Sequence, residues 1–191
     1  SYRRQRQMCI RDRSQALCNL LFAALGVMAA AQGTMNNLTF GDGRRQYYET
    51  IAGGGGAGNG FHGSRGVQTH MTNSRLTDPE ILEQRFPVRL ERFGFRRGSG
   101  GSGRWSGGDG LLREFRFLEP MTVALLSGSR IVAPFGLDGG EPGERGAAEM
   151  TRADGSVAVL DGCMQLQVHP GDRLLVATPG GGGWGGRGSE P

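Results

Sequence analysis

Gln68-Thr69-His70-Met71-Thr72-Asn73 places an imidazole three residues before a carboxamide. His70 can move a proton near neutral pH or ligate a metal through a ring nitrogen, and Asn73 can hold a carbonyl or position a water. The competing reading is a hydrogen-bonded structural histidine. Glu49 follows Tyr47-Tyr48 and precedes a glycine run. A carboxylate beside two tyrosines is a candidate for acid/base work, unless it is a paired structural group. Asn36 and Asn37 can bind substrate amides or cap a turn. Gly58 and Gly60 open the run GNGFHG, whose backbone N–H groups can approach a carbonyl or phosphate without obstruction; a turn needed only for folding is the alternative. Arg97 can pair with an anionic substrate or with a carboxylate.

Other chemistries drop out. GNGFHG satisfies the GxGxxG spacing, but a dinucleotide site needs a helix after it, and the polar segment beyond Gly66 offers none. All 22 cationic residues are Arg. Without lysine there is no Walker A phosphate contact and no Schiff base. Three scattered histidines lack metal-ligand spacing, so no metal site is assigned. Cys18 and Cys163 give no CxxC and no disulfide framework, and are read as packing residues in a reducing, cytoplasmic setting. RRGSGGSGRW at 96–105 has the parts of a single-strand RNA binder, but one patch in an otherwise neutral chain argues for a loop.

The elements that must position these groups can be sketched from pattern. Leu17, Leu20, Leu21, Ala24, Leu25 and Met28 recur at helical spacing, predicting a buried helix with a stop at Gln32-Gly33. Gly41-Asp42-Gly43 divides a hairpin, and Asp78-Pro79 starts a short helix running to Gln84. Strands are expected around 88–93, 113–117, 121–126, 156–160, 164–168 and 173–177, with Asp154-Gly155 and Pro170-Gly171-Asp172 as turns. Glycine, at 36 of 191 residues, is concentrated in patches between apolar segments. The glycine tail 180–188 is either flexible or anchored by Trp184. The fold class is α+β: an N-terminal helix and glycine-rich loops, then a predominantly antiparallel β carboxyl half, a sandwich or rolled sheet.

The first 13 residues stand apart. RRQRQMCIRD at 3–12 matches, codon by codon, a translated transposase-type sequencing adapter, so residues 1–13 are expected to be a non-native tail. They hold five arginines against one aspartate, a net +4 equal to that of the whole chain, and without them the pI near 9.5 implies no nucleic acid or membrane partner. The tail also imitates the n-region of a secretory signal ahead of Ala16–Ala31. That apolar run is 16 residues long and broken by Asn19, too short for a membrane span.

MNNLTFG, QYYETIAGG, GAGNGFHG, HMTNSRLTDPE and RFPV follow one another between residues 35 and 88, and RRGSGG, GGDG, FLEPM, PFGLDGGEPG, PGD and TPGGGGWG continue the series. Over roughly residues 14–188 the chain resembles the hydantoinase B/5-oxoprolinase family. The resemblance implies that 14–191 is the carboxyl-terminal part of an ATP-dependent hydrolase opening a cyclic amide such as 5-oxoproline or a hydantoin. It implies ATP bound by a hydantoinase A-like subunit or fused domain and not by this part, activation of the amide oxygen by phosphorylation, and a hetero- or homo-oligomer. A divalent metal is compatible with that chemistry, its ligands unknown. The resemblance supports His70, Asn73 and Glu49 as catalytic candidates, and Asn36, Asn37, Gly58, Gly60 and Arg97 as substrate-binding ones. Alternatives are a non-catalytic subunit-binding scaffold, or a subunit of a related acetone or acetophenone carboxylase. The fragment alone is expected to be inactive.

Overall fold

The computed structural model describes residues 2–186. Among these described residues nine strands form two antiparallel sheets facing each other across one core. The first sheet has the order β2-β1-β5-β8, from β1 (Asn37–Gly41), β2 (Gln46–Thr50), β5 (Met121–Leu126) and β8 (Cys163–Val168). The second has the order β3-β4-β9-β6-β7, from β3 (Val88–Arg96), β4 (Gly110–Phe117), β6 (Ala147–Thr151), β7 (Val157–Val159) and β9 (Arg173–Ala177). This is the expected sandwich. In β4 and β5 the period-2 alternation turns Leu111, Phe115 and Phe117 of one sheet toward Met121, Val123 and Leu125 of the other. Phe40 on β1 meets Phe115 and Phe117 edge-on, with ring centroids 5.9 and 5.8 Å away. Each such buried aromatic contributes about 1.5–3 kcal/mol.

The turns follow their sequence signals. Asp42 accepts the N–H groups of Arg44 and Arg45 and closes the β1–β2 hairpin. Helix α2 (Pro79–Arg85) starts on Asp78, whose carboxylate accepts the Glu80 N–H, with Pro79 where its missing N–H costs nothing. Asp172 accepts from Arg152 Nη1 at 2.7 Å and from the backbones of His169 and Ala153. Burial acts to raise its pKa, but these donors outweigh burial and hold the carboxyl below its ordinary value of 3.8. A depressed carboxyl stabilises the fold above its unfolded pKa and loses that contribution as pH falls through the folded one. Asp172→Asn should therefore lower the urea midpoint at pH 7 by the equivalent of about 1–3 kcal/mol, a difference that shrinks below pH ~4.

The glycine patches converge on one assembly at the end of the sandwich. Extended segments 53–57, 99–109, 134–143 and 179–185 lie side by side, joined by lateral backbone bonds outside the named strands. Gly108 N donates to Gly55 O, Gly181 N to Gly108 O, Gly101 N to Gly181 O and Ala57 N to Gly182 O. A Cβ at Gly54, Gly107 or Gly182 would lie 2.1 Å or less from a neighbouring carbonyl oxygen. Trp184 is buried and bridges to Trp105 and Leu137, which decides for anchoring through residue 186; positions 187 and 188 lie outside the described residues.

Three expectations need correction. Helix α1 (Tyr2–Ala24) forms, but it stops well before Gln32-Gly33, where Gly26 turns the chain at φ 61°. Its apolar face is not buried: Leu17, Leu20, Leu21 and Leu25 are 52–73% exposed, while Gln15 and Asn19 are packed inward. The chain beneath the helix is a polar loop, so polar side chains are the ones that find partners there. Cys163 is exposed at the start of edge strand β8, so it is not a packing residue. Strand β6 was not anticipated, because Ala147-Ala148-Glu149 has little strand propensity and gains its place from pairing β9 and β7. Among the described residues no helix is long and apolar enough to cross a membrane.

Candidate functional site

Residues 67–77 are held between the end of β2 and helix α1. Gln68 Nε2 donates to Thr50 O at 2.8 Å, Thr50 and Ser74 share a hydroxyl hydrogen bond, and Thr77 N donates to Glu49 at 2.8 Å. From α1, Gln15 Nε2 donates to Thr72 Oγ1 at 3.0 Å. Asn19 bonds both backbone groups of Ala31, and this two-way contact fixes its amide orientation. His70 Nε2 lies 2.9 Å from Asn19 Oδ1, an atom that can only accept. The Nε2–H tautomer follows, leaving the Nδ1 lone pair to take a proton.

His70 sits at φ 55°, a left-handed conformation that a non-glycine residue keeps only where its surroundings hold it. Phe22 covers one side of its ring, with centroids 5.5 Å apart. Burial pushes its pKa below 6.5, favouring the neutral imidazole. Protonation then favours the unfolded chain, so this contribution is intact above pH 6.5 and declines as pH falls through the folded pKa. The stability difference between the parent chain and His70→Gln should shrink between pH 6.5 and 5 in urea titrations. A constant difference would mean that His70 is not held neutral.

Glu49 is enclosed between the sheets. Arg113, inward on β4, places Nε 3.3 Å from Glu49 Oε2, with the two side chains 0% and 2% exposed. Arg113 Nη2 donates to Thr77 O at 3.1 Å, so both members of the pair grip the same residue. The guanidinium also packs over Phe93 and Phe115. Burial, followed by the Glu49 charge, raises the neighbouring Tyr47 phenol. The ion pair thus clamps the loop that carries His70 and Asn73.

The remaining candidates are dispersed. Asn36, buried at φ 42°, donates to Gln32 Oε1 at 2.7 Å and Ile51 O at 3.1 Å. Asn37 accepts from the Tyr48 hydroxyl at 2.8 Å. Gly58 N donates to Phe61 O in the turn that Gly60 completes at φ 88°. Asn73 and Arg97 are exposed. Among the described residues no hydrogen bond or ion pair joins one candidate to another. Asn19 and Gln15 were missed as supports of the His70 loop; Asn19 had one signal, a polar interruption of the apolar run, and Gln15 had none.

A scan against protein-family models matches residues 7–187 to hydantoinase B/oxoprolinase. The chain belongs to the hydantoinase B/oxoprolinase family. It is 51% identical over 172 residues to 5-oxoprolinase 1 of Arabidopsis thaliana and 47% identical to 5-oxoprolinase of Dictyostelium discoideum, in each case over 90% of this chain and 14% of the relative. The chain therefore spans about one seventh of these relatives' length and is a fragment of the family's full protein. The ATP-dependent caprolactamase of Pseudomonas jessenii has the same fold, with a TM-score of 0.69 and 24% identity over 86% of this chain and 31% of that one. A nucleotide-free acetone carboxylase matches with a TM-score of 0.70 and 18% identity over 83% and 26%.

Gly54, Gly55, Ala57 and Gly58 each spend the backbone N–H on another backbone carbonyl, so these four donors are not free to hold a phosphate. Among the described residues no three His, Cys, Asp or Glu side chains are grouped to hold a metal.

Proposed function

We propose that the chain is the carboxyl-terminal part of an ATP-dependent hydrolase that opens 5-oxoproline to glutamate. The observation that carries this reading is the 51% identity to a 5-oxoprolinase along nearly the whole chain. Opening the lactam breaks one carbon–nitrogen bond and adds water, giving a carboxylate and an amine. An unstrained amide is a poor electrophile, which is why such a reaction is coupled to ATP. That coupling belongs to a hydantoinase A-like subunit or domain outside this chain. His70, neutral with Nδ1 available, takes the proton from the attacking water; Asn73, exposed on the same loop, orients the ring amide. Glu49 acts through its clamp on Thr77 as a positioning residue. Asn36, Asn37, Gly58 and Gly60 stay substrate-binding candidates without a contact to the His70 loop, and Arg97 offers a charge to the substrate carboxylate.

In the full-length protein, His70→Ala should lower kcat by about 10²–10⁴-fold with little change in KM. The acid limb of the parent's kcat/KM profile should lie below pH 6.5, the direction in which burial shifts His70. Full activity in His70→Ala would remove the residue from the reaction. A scaffold reading for this segment is favoured by one observation, the enclosure of Glu49 in an ion pair away from solvent. Under it His70→Ala would lower the melting temperature and leave kcat intact.

A further inference from the structure

Helix α1 has its faces reversed relative to an ordinary surface helix. The side toward the sandwich is polar, with Gln15 bonded to Thr72 and Asn19 bonded to Ala31 and His70. The side toward solvent carries Leu17, Leu20 and Leu21, 56%, 60% and 52% exposed, and Leu25, just past the helix end and 73% exposed, continues the stripe. Beside the stripe runs an open groove of about 620 Å³, with Ala16, Leu20 and Ala31 on one wall and Ile131, Val132 and Phe135 on the other. Ile131 and Val132, at 86% and 76%, are the most exposed of these apolar side chains. Stripe and groove share Leu20 and together form a largely apolar surface.

We propose that this surface is the seat of the remainder of the hydantoinase B-type domain in the full-length polypeptide. The chain makes up 14% of the 5-oxoprolinases it resembles, and 32% of a shorter relative from Methanocaldococcus jannaschii. Even that shorter relative thus carries about two thirds of its length outside the matched region. A segment tethered to the same chain meets the leucine stripe at an effective concentration near the millimolar range, ahead of any untethered partner. A second copy of the chain is the competing occupant. The groove is mostly apolar but also takes in Asn19, which bonds His70, and the Arg130 guanidinium, so the surface adjoins the loop around His70. The inference rests on family membership and not on the proposed reaction, and its test does not use turnover.

The experiment compares hydrogen exchange and thermal melts of the full-length polypeptide and of the 191-residue chain. Segments 16–25 and 128–135 should exchange at least tenfold more slowly in the full-length protein, independent of its concentration. Leu21→Glu in the full-length protein should lower soluble yield and the melting temperature by about 5 °C or more. Leu118→Glu, 51% exposed but away from the groove, should change neither. In the 191-residue chain Leu21→Glu should instead raise the monomer fraction, because it removes exposed apolar surface. Equal exchange in the two proteins, or a Leu21→Glu as silent as Leu118→Glu, would overturn the proposal. Protection that appears only as concentration drives dimerisation would assign the surface to a second copy and overturn it as well.

Discussion

Gly181→Ala is expected to leave almost no soluble, folded protein. A Cβ at this position would lie 1.9 Å from Gly55 O and 2.3 Å from Gly55 C, both backbone atoms of a segment whose own N–H and C=O are committed to neighbours. No side chain can swing aside to relieve the contact. Separating residues 55 and 181 would break the Gly101–Gly181 and Gly181–Gly108 hydrogen bonds that join segments 99–109 and 179–185. The cost should exceed about 4 kcal/mol, a large part of the stability of a domain this size. Gly94→Ala supplies the contrast: its Cβ meets nothing within 4 Å, and the substitution should be neutral or stabilise by about 0.4–1 kcal/mol. Soluble yield and thermal melts of the two variants check the pair. Similar behaviour of both would mean that the glycine assembly is not close-packed.

The second large effect concerns Glu49 and Arg113. Replacing Glu49 with Leu leaves a guanidinium fully buried without its counter-charge, and a buried pair broken from one side costs about 3–5 kcal/mol. The double change Glu49→Leu with Arg113→Met removes both charges and should recover much of that loss. It cannot restore the two bonds to Thr77. If the clamp positions the His70 loop, the double variant regains its melting temperature while the full-length enzyme keeps a lowered kcat. Recovery of both would restrict the pair to a structural role.

Much of the sandwich was legible because local chemistry and tertiary structure agree there. The Asp78-Pro79 start of α2, the turns at Gly155 and Gly171, and the alternation in β4 and β5 are each local signals that the fold uses directly. Strand β6 was not legible, since Ala and Glu take strand geometry there only because β9 and β7 flank them. Helix α1 was readable as a helix and misread in orientation: periodicity identifies an apolar face without saying what covers it. The glycine patches carried the family resemblance, yet their mutual packing depends on contacts between segments far apart in sequence, such as Gly55 with Gly181. The same limit hid the site's supporting contacts. Nothing local ties Glu49 to Arg113 or His70 to Asn19, so the partners that set the roles of these candidates could be found only in three dimensions.

The most direct test of the central claim is turnover by the purified full-length protein together with any separate hydantoinase A-like subunit. It would be supplied with 5-oxoproline and ATP while glutamate and ADP are measured in the same reaction. The account predicts glutamate and ADP appearing together in a fixed ratio, no glutamate without ATP, and its loss in His70→Ala. No glutamate from 5-oxoproline, combined with ATP-dependent consumption of acetone and bicarbonate, would contradict it and move the chain to the carboxylase branch of the fold.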